Sequence, residues 1–151
     1  MLKIRGKRGF TLIEVMVVLA ILAIMAAISI PNFRQYIMQR RLNGAARQVM
    51  SDFMSARMTA VSQNRKVKIF FFSNHQYTIC DDADNNGTVS NGEGTVQTRD
   101  VQNDYPGVTF TATVDPVFNL NGTANGTTIS LTNPAGTRTV SLATTGRAVI
   151  Q

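Results

Sequence analysis

The chain has 151 residues, with 15 lysines and arginines against nine aspartates and glutamates, a formal charge of +6, and one cysteine. Residues 1–9 hold four of the basic residues, Lys3, Arg5, Lys7 and Arg8, and no acid; the remaining 11 against nine leave a side-chain balance of only +2. Overall charge therefore gives no global argument for nucleic-acid binding, the length admits one head domain and not two, and the lone Cys80 excludes a cystine framework.

From Phe10 to Ile30 the only charge is that of Glu14. At about 1.5 Å per helical residue, this run crosses a hydrocarbon layer of roughly 30 Å, so residues 10–30 are predicted to form a membrane-spanning helix. A carboxylate inside such a helix costs about 2.5 to 3.5 kcal/mol on insertion scales and asks for a cationic partner. A place in the first turn, near the headgroups and at the positive end of the helix dipole, explains how Glu14 is tolerated but not why it is there. The basic leader predicts that residues 1–9 stay cytoplasmic and the rest faces outward. A secretory signal peptide cleaved near Ala27-Ile28-Ser29 is the competing reading. Against it, the apolar run is too long, it holds a carboxylate, and helical patterning continues past its end.

The hexapeptide Gly9-Phe10-Thr11-Leu12-Ile13-Glu14 resembles the type III signal of type IV pilins and type II secretion pseudopilins. The resemblance implies cleavage between Gly9 and Phe10 by a prepilin peptidase, with N-methylation of Phe10. It also implies that Glu14 neutralises the Phe10 α-amine of a neighbouring subunit during filament assembly. The implied partners are other pilin or pseudopilin subunits, the peptidase and an inner-membrane assembly platform. The implied location is the bacterial inner membrane, single-pass, with the head in the periplasm, and then the assembled pseudopilus or pilus.

Pro31 is expected to weaken or kink the helix, because proline removes a backbone donor and crowds the preceding turn. Beyond it, Leu42, Ala45, Val49, Phe53, Ala56 and Ala60 recur at helical spacing, with Arg40, Arg47, Ser51, Asp52 and Arg57 largely elsewhere around the helix. Residues 31–63 are thus predicted as an amphipathic second half of the same helix. After Asn64 the composition turns to Val, Ile, Phe, Thr, Gly and Asn, and residues 64–151 read as a β head. Its strands are expected at 66–72, 76–80, 95–101, 108–114, 127–132 and 137–142, packed against the amphipathic half-helix. Cys80 is expected to be a buried thiol. The resemblance supplies the same α+β, pilin-like fold, a long N-terminal helix on an antiparallel head.

Asp82 to Glu93 fits the D-x-[DN]-x-[DN]-G-x₅-E calcium pattern at every specified place. Asp82, Asp84 and Asn86 would offer side-chain oxygens, Thr88 its carbonyl, Ser90 a water, and Glu93 the closing carboxylate, with Gly87 at the sharp turn. Asp, Asn and Gly also make ordinary polar loops, and no helices are predicted to flank this one. Calcium is the one cofactor the residues suggest, and none is required. The Asn-x-Thr triplets at Asn86, Asn121 and Asn125 match the glycosylation acceptor pattern and equally suit turns. One histidine, His75, and no serine or cysteine in a catalytic context give no reading as an enzyme.

The order of parts, with Thr145-Gly146-Arg147 near the end, resembles the H-type minor pseudopilin and FimT-like minor pilin family. Two functions follow from the resemblance. One is a minor pseudopilin near the tip of a periplasmic filament that drives protein export. The other is a minor pilin that contacts DNA phosphates through Arg147 and the Arg65, Lys66, Lys68 cluster. A second arginine beside Arg147 is missing, and the cluster also suits a solvated strand face.

Overall fold

The computed structural model describes residues 9–151; the basic leader residues lie outside the described residues. A 52-residue helix, α1 (Leu12–Gln63), opens the fold and contributes to two compact units that divide after Tyr36. Thr11 starts it, its hydroxyl accepting from the Glu14 amide at 3.3 Å and satisfying one of the free donors of the first turn. At the far end Asn64 takes a left-handed φ of 53°, and the Arg65 amide returns to the Ala60 carbonyl at 3.2 Å, a Schellman-type stop.

In the first unit the apolar side chains from Leu12 to Ile30 are exposed all round the helix. A helix apolar on every side is built for a non-aqueous or protein-packed surrounding. At Pro31, where the sequence predicts a weakened or kinked helix, α1 runs on without interruption. Proline removes one donor only, and next to the lost bond the Asn32 side-chain amide donates to the Ile28 carbonyl at 3.3 Å.

In the second unit α1 buries Leu42, Ala45, Ala46, Val49, Phe53, Ala56 and Ala60, including all six residues of the predicted stripe. The alanines let backbone approach backbone, and Phe53 packs edge-on to Phe118 with ring centroids 6.2 Å apart. Asp52 departs from the reading of it as an outward residue: it is buried, on the core side of the helix.

Among the described residues, eight strands form two antiparallel four-stranded sheets against this half-helix. They are β1 (Val67–Phe71), β2 (Gln76–Asp81), β3 (Thr95–Asp100), β4 (Thr109–Ala112), β5 (Val117–Phe118), β6 (Thr127–Asn133), β7 (Gly136–Leu142) and β8 (Ala148–Ile150). The first sheet runs in the order β3-β2-β1-β5 and the second β4-β6-β7-β8. The β1–β2 hairpin turns where the Ser73 hydroxyl accepts from the Gln76 amide at 2.9 Å. The β6–β7 hairpin turns where the Asn133 side-chain oxygen accepts from the Ala135 amide at 2.9 Å. Rings of Phe71, Tyr77 and Phe110, at 5.3 to 5.9 Å, join the two sheets, beside a 2.7 Å bond from the Phe110 amide to the Asn74 carbonyl.

Three short elements escaped the sequence reading: β5, β8, and the single-turn helix α2 (Val101–Asp104). The strand expected over 95–101 ends at Asp100 because that side chain caps α2, accepting from the Gln102 amide at 2.9 Å. The strand expected over 108–114 is confined to Thr109–Ala112. Cys80 lies fully buried in β2, an inner strand of the first sheet, beside a β-bulge.

Candidate functional site

Gly9 and Phe10 precede the first turn of α1 in non-helical, exposed backbone, and Phe10 is 83% exposed. An extended, accessible segment is the form in which a peptide bond fits a protease. Glu14 is exposed on the first turn, and among the described residues its carboxylate has neither ion pair nor hydrogen bond. Thr11-Leu12-Ile13-Glu14 has the spacing of a capping box, of which the Thr11 half is formed.

The 82–93 loop connects β2 to β3, two neighbouring strands, and no helix flanks it. Asp82 is buried at the strand end, its two oxygens accepting from the Asn86 amide at 3.1 Å and the Gly87 amide at 2.9 Å. Asp84 accepts from the Asn86 amide at 3.1 Å and its side-chain amide at 2.7 Å. These bonds, with the Asn86 backbone foremost, hold the Asp84 carboxyl below its ordinary range. Glu93 reaches back across the loop, accepting from Ser90 at 2.9 Å and Asp84 at 3.3 Å. Oxygens of Asp82, Asp84 and Glu93 converge within 4.8 Å of one another. Oxygens bound to one calcium at 2.3 to 2.6 Å lie at most about 5 Å apart, so this donor set fits a calcium ion.

The basic residues proposed from sequence are scattered. Arg65 pairs with Asp81 at 3.8 Å, Lys66 donates to the Gly87 carbonyl at 2.6 Å, and Lys68 lies 4.3 Å over the Phe70 ring. Lys66 thus serves the acidic loop. Arg147 is exposed between β7 and β8; its carbonyl accepts from the Ala143 amide at 2.9 Å, and among the described residues its guanidinium makes no ion pair or hydrogen bond.

One constellation was not foreseen. The Asp52 carboxylate accepts from the Tyr77 hydroxyl at 2.5 Å, from the Arg99 Nε at 3.3 Å and from the Gln48 side-chain amide at 3.1 Å, joining α1, β2 and β3 inside the head. Burial first, then the charge and hydrogen bond of Asp52, push the Tyr77 phenol above its ordinary value of 10. The only hint in the sequence is an aspartate three residues after Val49 and next to Phe53, both on the buried stripe.

A helix that is apolar on all sides through its first part and packed on antiparallel sheets through its second defines a pilin-like subunit. Comparison with known proteins agrees at both ends. The family described as "Type II transport protein GspH" matches residues 45–146, and the "Prokaryotic N-terminal methylation motif" matches residues 4–30. The chain belongs to the GspH family.

Among solved structures, the fold is similar to the type IV minor pilin FimU of Pseudomonas aeruginosa, at a TM-score of 0.59 and 20% identity, covering 77% of this chain and 92% of that one. It is also similar to the minor pseudopilin EpsH from the Type 2 Secretion System of Vibrio cholerae, at 0.57 and 10%, covering 74% and 96%. At such identities the likeness concerns the fold. A fimbrial protein of P. aeruginosa is 35% identical over 63 residues, 42% of this chain and 40% of its own length. One from Moraxella nonliquefaciens is 38% identical over 61 residues, 40% and 36%. The chain thus spans about two fifths of the length of the curated relatives it matches.

Proposed function

We propose that this chain is a minor pseudopilin of the H type in a type II protein secretion system. In this reading it is cut between Gly9 and Phe10 and anchored in the inner membrane through residues 10–30. It then assembles at or near the tip of a periplasmic pseudopilus that drives protein export. The observation that carries the reading is the GspH match over residues 45–146, which takes in the packed half of α1 and nearly all of both sheets. The physical support lies in the first unit. Its exposed apolar side chains require lipid or neighbouring helices, and a neighbour's Phe10 α-amine would offer Glu14 a cation, which its carboxylate does not meet among the described residues.

A second reading, a FimT-like minor type IV pilin, draws on the likeness in fold to FimU and the fimbrial matches. There Arg147 would be the phosphate contact, since Arg65, Lys66 and Lys68 already hold partners within the head. One experiment separates the two: the culture-supernatant and periplasmic proteomes of a gene deletion against its parent. Loss of particular exoproteins outside, with accumulation in the periplasm, is the expected result. An unchanged secretome overturns it and makes DNA uptake, compared between the parent and Arg147→Gln, the deciding assay.

We also propose that Asp82, Asp84, Asn86, the Thr88 carbonyl and Glu93 hold one calcium ion, whose charge would bind together a loop with three carboxylates. Calorimetric titration of the full chain in detergent should show calcium binding, weakened about 100-fold or more in Asp82→Ala, because a charged ligand is lost and the turn it braces is freed. Absence of heat for the unsubstituted chain would sink the proposal.

A further inference from the structure

Five asparagine–glycine pairs occur in the chain: Asn43-Gly44, Asn86-Gly87, Asn91-Gly92, Asn121-Gly122 and Asn125-Gly126. Such a pair can rearrange without an enzyme. The glycine amide nitrogen attacks the asparagine side-chain carbonyl carbon, forming an N–Cγ bond and expelling ammonia. Water then opens the resulting succinimide at either carbonyl, leaving aspartate or isoaspartate. The reaction needs a side-chain carbonyl free to turn back, a glycine N–H free to lose its proton, and room for a five-membered ring.

Four of the five pairs are held against it. Asn43 lies within α1 and accepts from Arg138 at 2.9 Å. The Asn86 oxygen accepts from the Thr88 amide at 2.8 Å and its side-chain amide donates to Asp84 at 2.7 Å, while the Gly87 N–H donates to Asp82 at 2.9 Å. Asn121 accepts from the Thr123 amide at 3.1 Å and its hydroxyl at 2.7 Å, and the Gly122 N–H is bonded to the Asn119 carbonyl at 2.9 Å. The Asn125 oxygen accepts from the Val117 amide, and its amide donates to the Asp115 carbonyl at 3.1 Å.

Asn91-Gly92 is not held in this way. Both residues are exposed, and among the described residues neither the Asn91 side chain nor the Gly92 N–H makes a hydrogen bond. Gly92 sits at φ +86° with nothing within 4 Å of where a Cβ would be, so the backbone at the attacking nitrogen is unhindered on that side.

We infer that Asn91 is a site of spontaneous, non-enzymatic modification, converting to aspartate and isoaspartate inside the 82–93 loop while the other four pairs persist. The consequence is local. The product adds a fourth carboxylate between Ser90 and Glu93. The isoaspartate form also lengthens the main chain across the 2.9 Å Ser90–Glu93 bond that closes the loop. The inference stands on the loop's hydrogen bonding alone and does not depend on calcium or on the filament.

The test is peptide mapping of the purified full chain in detergent, aged at neutral pH in oxygen-18 water, with isoaspartate resolved by electron-transfer fragmentation. Label should enter at Asn91 at least about tenfold faster than at the other four positions, the ratio that about 1.4 kcal/mol of retained hydrogen bonding sets. In denaturant the five should converge, and Asn91→Gln should remove the native-state signal. Equal rates in the folded chain, or faster label at Asn121 or Asn125 than at Asn91, would overturn the inference. So would the same preference in denaturant, which would make it a property of the local sequence.

Discussion

Asp52→Ala is expected to destabilise the head by roughly 2 to 4 kcal/mol, read from chemical denaturation of the full chain in detergent. The side chain of Asp52 is 6% exposed and receives three side chains from three elements. Removing it leaves the Tyr77 hydroxyl without its acceptor in a side chain that is fully buried. Arg99 loses less, because about a third of its side chain is exposed and it can turn to water; its ion pair is correspondingly screened. Tyr77→Phe, which leaves Asp52 two of its partners, should cost less, about 1 to 2 kcal/mol. Equal losses in the two variants would mean that the network is not organised around the carboxylate.

The same pair sets a pH dependence. Because the Tyr77 phenol is raised above its unfolded value of 10, its protonated form is favoured in the fold. That contribution is complete below the unfolded value and is lost as pH rises past it toward the folded value. Stability should therefore fall above about pH 10, and Tyr77→Phe should flatten that fall while leaving the neutral-pH slope unchanged.

Gly146→Ala is the second large effect, expected at roughly 2 to 5 kcal/mol. Gly146 adopts φ +77°, where a side chain is strained, and a Cβ built there would lie 2.1 Å from the Gly122 carbonyl oxygen, a backbone atom that cannot swing aside. Arg57 closes the same corner, its Nε donating to that oxygen at 2.8 Å and lying 2.9 Å from the Cβ position. Gly107→Ala is the control: φ is +83° there, but nothing lies within 4 Å. It should cost only the conformational strain, about 1 kcal/mol. If the two substitutions cost the same, the close approach of the β7–β8 turn to Gly122 contributes nothing.

That corner also shows why Gly146-Arg147 could be noticed in the sequence but not understood. A glycine before an arginine reads as a turn; that it fits under another glycine's carbonyl, 24 residues earlier in the chain, depends on how the second sheet meets α1. β5 and β8, two and three residues long, were missed because they have no alternation of their own and exist only as partners of β1 and β7. The Arg65, Lys66, Lys68 cluster looked like one basic surface by proximity. Arg65, past the end of the helix, turns to Asp81, Lys66, ahead of β1, reaches into the acidic loop, and Lys68, within β1, lies over Phe70, so three neighbours in sequence have three unrelated partners.

What the sequence determined by itself is whatever local periodicity and local chemistry encode. An apolar run with one carboxylate, a stripe at helical spacing from Leu42 to Ala60, the main hairpins and an acidic loop with its oxygens at regular intervals are all of this kind. Each is a pattern among residues near in the chain, where backbone geometry fixes which side chains share a face. Only the tertiary structure decided that Asp52 turns inward to Tyr77 and Arg99, that Lys66 serves the acidic loop, and that Asn91 alone among five similar pairs is left unheld. The inward turn of Asp52 and the reach of Lys66 depend on pairings across 20 to 50 residues, between elements whose contact is chosen by the whole core, and no local pattern can specify them. Which Asn-Gly pairs are held depends on the bonds each finds in the fold, from its own loop to a strand 95 residues away.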